Sequence, residues 1–238
     1  MKRLGLLICD EHDDEFIAKY GTYDRDFIDM LEAVMPGYWE YRIWHCQNHE
    51  LPLSPSECDA WIISGSRAAA YDKDTWVESL KQFVQQLDHA GASVLGICFG
   101  HQLIHSALGG DVEKYYDGWG LGAYPVSIVE DLASLKASDT IRVLAMHQDQ
   151  VITCAPHFSV IGTSHFCQHA ITLKGHSILT FQAHPEFTDE LFASICSRIR
   201  PKAGEQRVDS ALVELGKPDD RIQIRQLVAD FLAGEVHD

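Results

Sequence analysis

What this sequence lacks removes several classes of function. No apolar run approaches the roughly 20 residues of a membrane span. The apolar stretch after Met1-Lys2-Arg3 is about five residues, short of the roughly 7–15 of a secretory core, so neither anchor nor leader is expected. Basic residues are scarce: 19 Lys+Arg against 35 Asp+Glu give a net charge of −16 over 238 residues. That is the wrong sign for nonspecific binding to nucleic acid or to an anionic membrane, although backbone groups can still hold a small anion. The seven cysteines (9, 46, 58, 98, 154, 167 and 196) include no C-x-x-C pair. Their odd number and scatter read as reduced thiols in a cytoplasmic protein. There is no internal repeat, no low-complexity tract and no P-loop. A 46% hydrophobic, 23% charged composition is that of a globular chain.

What is present begins as alternating strand and helix. Leu4–Cys9, Ala60–Ile63 and Ser93–Ile97 are short apolar runs of the kind buried in a parallel sheet, and Trp39–Trp44 alternates as a strand. Between them, Asp26–Met35 and Asp74–His89 carry apolar residues at helical spacing, and Cys98–Leu108 reads as a helix ending at Gly109-Gly110. The order implies βαβ units and a parallel sheet. The middle changes character, with short β-like runs at 112–116, 123–129, 141–145, 159–164, 170–173 and 177–181. Helical spacing returns at 191–200, 210–215 and 222–232. The stretch Pro201–Gln206 is the one plausible break and is too short for a linker, so residues 1–238 read as one domain with a helical extension from about 201.

The sharpest local signal is Gly96-Ile97-Cys98-Phe99-Gly100-His101-Gln102, placed between a strand and a helix. Glycines two residues either side of a cysteine give the layout of a nucleophile elbow, a tight turn on which larger side chains would collide. A helix N-terminus beneath the sulfur favours the reactive thiolate. The Phe99 backbone N–H, next after the nucleophile, is placed to stabilise an oxyanion. A buried core cysteine beside a glycine-rich turn would give the same local pattern. A cysteine nucleophile also needs a base, and the base an orienting group. His184-Pro185-Glu186 offers both: in extended chain residues two apart face the same way, and Pro185 keeps His184 out of the helical region. Alone it would pass for an ordinary strand-end turn.

Together these two segments resemble the class I (triad) glutamine amidotransferase family. Ser64-Gly65-Ser66, Gly109-Gly110, Met146-His147-Gln148-Asp149 and Phe181-Gln182 lie where that family has similar features, and the likeness runs over roughly residues 1–190. The resemblance implies a flavodoxin-like three-layer α/β sandwich, with a mostly parallel central sheet and a small antiparallel section. It implies a Cys98–His184–Glu186 triad that forms a γ-glutamyl thioester on Cys98, and it implies no metal or other cofactor. It assigns the second oxyanion donor to the backbone of Gly65 or Ser66. Gln102 and Phe166-Cys167-Gln168-His169 match positions that line the substrate pocket. The loop departs from the usual Gly-Gly-Pro or Gly-Pro-Gly, which leaves open which N–H faces the hole. Ser-Gly-Ser, Cys-Phe-Gly-His-Gln and the stand-alone length are similar to γ-glutamyl peptidases and to stand-alone relatives of the GMP synthase amidotransferase domain.

The expected activity is therefore hydrolysis of a γ-glutamyl amide or peptide, with a small γ-glutamyl molecule as partner. One alternative is a glutaminase subunit feeding ammonia to a separate synthetase. Others are a catalytically silent binding module, or a related flavodoxin-like cysteine hydrolase, which would usually carry its histidine where Phe99 stands. His165, Cys167 and His169 would share one face of a strand and suggest zinc, but a packing or pocket strand is the simpler account. His12-Asp13-Asp14-Glu15 reads as a solvated acidic loop.

Overall fold

The computed structural model describes residues 1–236. It begins with β1 (Lys2–Ile8), α1 (Asp14–Tyr20), α2 (Tyr23–Glu32) and β2 (Trp39–His45). Next come β3 (Ala60–Ile63), α3 (Thr75–His89), β4 (Ser93–Ile97) and α4 (Phe99–Ala107). Short strands fill the middle: β5 (Asp111–Lys114), β6 (Gly120–Gly122), β7 (Pro125–Ile128), β8 (Thr140–Arg142), β9 (Ala145–His147) and β10 (Asp149–Thr153). β11 (Ser159–Thr163), β12 (Ile171–Lys174) and β13 (Ile178–Phe181) follow, and then α5 (Asp189–Ala203), α6 (Glu205–Val213) and α7 (Arg221–Ala233).

Nine strands form the main sheet in the order β2-β1-β3-β4-β13-β12-β11-β7-β8. Neighbours from β2 to β13 run parallel, and from β13 onward antiparallel. This is the expected flavodoxin-like α/β sandwich. The parallel strands are apolar on both faces because both are covered. Leu4, Leu6, Ile8, Ile62, Leu95 and Ile97 pack in one cluster with Phe27 and Leu31 of α2 and with Ile224, Leu227 and Val228 of α7. Leu7, Cys9, Trp61, Ile63 and Val94 face the other way, toward Leu80 and Phe83 of α3 and Leu103 of α4. The period of two along each strand thus produces three layers.

The structure departs from the sequence reading at several places. The run 141–145 is divided between β8 and β9, and β6 and β10 were not expected. β6 is Gly-Leu-Gly, with no strand propensity of its own, and exists by pairing with β9. The acidic stretch after β1 is only partly loop: Asp14 and Glu15 form the first turn of α1, where their charge complements the helix dipole. Pro201 lies inside α5, and the break falls at Gly204, whose φ of 91° lets the chain turn into α6. Residues 165–169 form a loop between β11 and β12, so His165, Cys167 and His169 do not share a strand face. The final helical segment is α7, ending at Ala233, tied at its start by Asp220 N–H to Arg142 O (2.9 Å) and at its end by Lys2 Nζ to Ala233 O (2.8 Å).

Candidate active site

Cys98 stands between β4 and α4 with φ 51° and ψ −101°, a conformation that costs an ordinary L-residue energy and that the surroundings must enforce. They do so through backbone bonds. Cys98 N–H donates to Phe181 O (2.8 Å), and Gly100 N–H donates to Ser64 O (3.1 Å). A Cβ on Gly100 would lie 2.2 Å from Ile63 O, and one on Gly96 would lie 2.9 Å from Gly100 O. Both glycines are thus required by close backbone approach. The sulfur lies 3.7 Å from the carbonyl oxygen of Met146, the middle residue of β9.

His184 follows β13, with its N–H donating to Leu144 O (2.7 Å). Its Nδ1 is 2.7 Å from Glu186 Oε1, and both side chains are almost fully buried. The expected pairing is present but is made differently: residues 185–186 form a turn rather than extended chain. Glu186 Oε1 also accepts a hydrogen bond from Tyr23 Oη of α2 (3.2 Å). The ring of Phe187 stacks on the imidazole, with centroids 4.1 Å apart and planes 5° apart. Burial alone would push the imidazole pKa down, but the Glu186 carboxylate and the Cys98 sulfur, each also within hydrogen-bonding reach, outweigh it and take His184 up to about 10. The tyrosine is kept a phenol, since burial and the charges of Glu186 and Cys98 raise its pKa well above the usual value.

Gly65 closes the constellation from the β3 side. A Cβ there would meet Tyr23 Oη at 2.6 Å and His184 Cε1 at 3.0 Å, with Cys98 Cβ at 3.7 Å, so only glycine lets the loop pass this close to Tyr23 and His184. The loop 64–67 is tightly held. Ser64 Oγ accepts from Cys9 N–H (2.8 Å), and Asp10 Oδ2 accepts the Arg67 backbone N–H (2.6 Å). The Arg67 guanidinium also grips the Asp10 carboxylate at 2.7–3.2 Å. Ser66 is half-buried within this loop, and Phe99, fully buried, opens α4 directly after Cys98.

The remaining expected residues divide. Gln102 is buried, and its Nε2 donates to Asp149 O (2.8 Å) and Gln182 Oε1 (3.1 Å), fixing α4 to β10 and to the segment before His184. Phe166 packs against Tyr115, Tyr124 and His147. Cys167 is fully buried in the core and bonded through its backbone to Ser164, and burial pushes its thiol up to about 12. Gln168 is exposed, and His169 Nδ1 lies 2.8 Å from Val151 O. The structure therefore does not gather 166–169 as a unit: Phe166 joins the aromatic group near the site, and Cys167 shapes the loop from within. Among the described residues, no group of three or more His, Cys, Asp or Glu side chains is arranged to hold a metal.

The sequence does not announce Tyr23, Phe187, the Arg67–Asp10 pair or Tyr124, which meets His147 of the family-like 146–149 segment at 2.8 Å. Tyr23 lies 163 positions from its partner, and nothing in its own segment marks it. Arg67 gave a faint signal, as the residue standing just past the Ser-Gly-Ser departure.

Comparison with known proteins gives the same direction. The family model described as glutamine amidotransferase class-I matches residues 38–196. A γ-glutamyl peptidase 5 of Arabidopsis thaliana is 30% identical over 98% of this chain and 96% of its own length. A glutamine amidotransferase-like protein of Schizosaccharomyces pombe is 26% identical over 96% and 98%. The crystal structure of a glutamine amidotransferase from Thermotoga maritima superposes with a TM-score of 0.75 at 18% identity, covering 97% of this chain and 98% of that one, a likeness of fold.

Proposed function

The chain belongs to the glutamine amidotransferase class-I family, and from that premise we propose that it is a cysteine hydrolase cleaving γ-glutamyl amide or peptide bonds through a thioester on Cys98. The observation that carries the reading is the 2.7 Å bond from His184 to Glu186 beside a cysteine held at φ 51°. The sulfur of Cys98 attacks the γ-carbonyl, and the oxyanion is received by the Phe99 N–H and by a backbone N–H of Gly65 or Ser66. His184, charged and oriented by Glu186, gives its proton to the departing nitrogen as the C–N bond breaks. The product amine leaves with that proton, and the γ-glutamyl group stays as a thioester. Water then attacks, His184 takes its proton, the C–S bond breaks and glutamate departs. Gln102 and Phe166 keep the substrate-binding role that the family's pattern gives their positions.

The peptide bond is favoured over the free amide by the γ-glutamyl peptidase relative, whose likeness spans nearly the whole chain. We read the enzyme as one domain acting in the cytoplasm on a small γ-glutamyl molecule, with a glutaminase subunit serving a separate synthetase as the alternative. Glutamate release from glutathione, a γ-glutamyl dipeptide and glutamine, by wild type and Cys98→Ala, tests this. Release from the peptides, slower release from glutamine, and loss of both in the variant are expected. Turnover of glutamine alone would make it an ammonia-delivering subunit, and silence on all three a partner-dependent glutaminase or a binding module.

A further inference from the structure

Helix α7 lies outside the family-model span of 38–196, yet it reaches the catalytic turn. Arg221 and Arg225, four residues apart on one helix face, point into the segment that follows His184. Arg225 Nε donates to Pro185 O (2.7 Å), and its Nη2 donates to Phe187 O (3.1 Å). Arg221 Nη1 donates to the same Phe187 oxygen (2.9 Å), and its other nitrogens are held by Asp219 (2.7 Å) and Asp189 (2.5 Å). The two carbonyls so gripped flank Glu186, and the ring of Phe187 is the one stacked on the imidazole. Arg225 is half-buried, and its guanidinium pKa is lowered by burial and by Arg221, against the attraction of Glu186 and Asp219. Holding a guanidinium there against that cost is what a two-pronged grip on a turn requires.

We propose that Arg225, seconded by Arg221, is a positioning residue for the catalytic base: its fork on the carbonyls of Pro185 and Phe187 fixes the turn that sets Glu186 and the Phe187 ring against His184. The inference rests on the triad reading above. It assigns α7 a role beyond covering the sheet, since the helix is anchored in the core by Ile224, Leu227 and Val228 and so ties the base to the body of the molecule. A planar fork can hold two carbonyls at once, whereas an ammonium cannot present the same pair of donors.

The rate at which iodoacetamide alkylates Cys98, followed by peptide mass mapping at neutral pH, reads the imidazole's placement without knowledge of the substrate. Wild type, His184→Ala, Arg225→Ala, Arg225→Lys and Leu227→Ala would be compared, with thermal midpoints recorded for each. Arg225→Ala and Arg225→Lys should both slow Cys98 alkylation by about 10- to 100-fold. Methylguanidinium, well below denaturing concentration, should restore much of the rate to Arg225→Ala. Leu227→Ala should lose stability while keeping its alkylation rate. Arg225→Lys matching wild type would overturn the proposal in favour of a bare charge effect, and Leu227→Ala slowing in step with its lost stability would reduce it to helix docking. If His184→Ala leaves alkylation unchanged, the triad reading itself fails, independently of the arginine.

Discussion

At the scale of single residues, the site is a set of short distances around one carboxylate oxygen. Glu186 Oε1 takes a bond from His184 and another from Tyr23, so both donors depend on that oxygen being an acceptor. Glu186→Gln keeps the shape but offers an amide that can donate to the ring and hold it in the wrong tautomer, so kcat should fall by about 10²- to 10⁴-fold with little change in KM. Because the carboxylate is the first of the causes that raise the His184 pKa toward 10, the same change should move the alkaline limb of the pH–rate profile to lower pH. A limb that stays in place would contradict the electrostatic account. Gly65→Ala is expected to cost activity out of proportion to stability, since its methyl would push on Tyr23 and His184 together; steady-state kinetics beside a thermal melt would show whether it does. Cys98, His184 and Glu186 stand out in the sequence because each belongs to a local pattern with a chemical reason, and Gly65 only through the family resemblance. Tyr23 and Phe187 were not, because their roles arise only where distant segments meet.

At the scale of elements, the strands and helices that carry the elbow were readable from apolar runs and helical spacing, to within a residue or two. The region between α4 and β11 was read less well. There, strands of three to five residues such as β6, β8 and β9 owe their existence to pairing partners rather than to their own composition. The elbow itself is the clearest case of sequence dictating geometry. Gly100→Ala would drive a methyl into Ile63 O, a backbone atom that cannot step aside, and should cost roughly 1–3 kcal/mol or more; a urea midpoint unchanged from wild type would show that α4 can shift. Behind the elbow, α4 is joined to the sheet by a buried polar chain. Ala155 N–H donates to His105 Nδ1 (3.0 Å), His105 Nε2 meets Thr172 Oγ1 (2.9 Å), Thr172 meets Thr180 (2.6 Å), and Thr180 meets His101 Nδ1 (2.7 Å). The arrangement in which each hydroxyl donates inside the chain leaves the proton of His101 on Nε2, which is buried without a hydrogen-bond partner among the described residues.

At the scale of the whole molecule, three histidines are folded in as neutral groups. Burial lowers His101 well below the ordinary 6.5, His105 to about 3 and His147 to about 4. The unfolded chain takes up protons near 6.5 while the folded chain resists them, so their contribution to stability is intact above that pH and is lost as pH falls from about 6.5 toward 3. Urea midpoints should therefore drop across that window, and more steeply in wild type than in His105→Gln; equal slopes would mean that His105 is not the group responsible. The parallel half of the sheet, the layer order and the place of Cys98 at the carboxyl ends of the strands follow from the order of elements, and the site lies where open α/β sheets place their ligands. The path by which α7 returns to the catalytic turn could not be read, because its apolar spacing announces a buried face and not which surface it covers. The most direct test of the central claim is mass spectrometry of acid-quenched protein during turnover of a γ-glutamyl dipeptide. The account predicts a γ-glutamyl group on the peptide that contains Cys98 and no glutamate release by Cys98→Ala. Glutamate release by that variant at the wild-type rate, or an adduct on another of the seven cysteines, would contradict it.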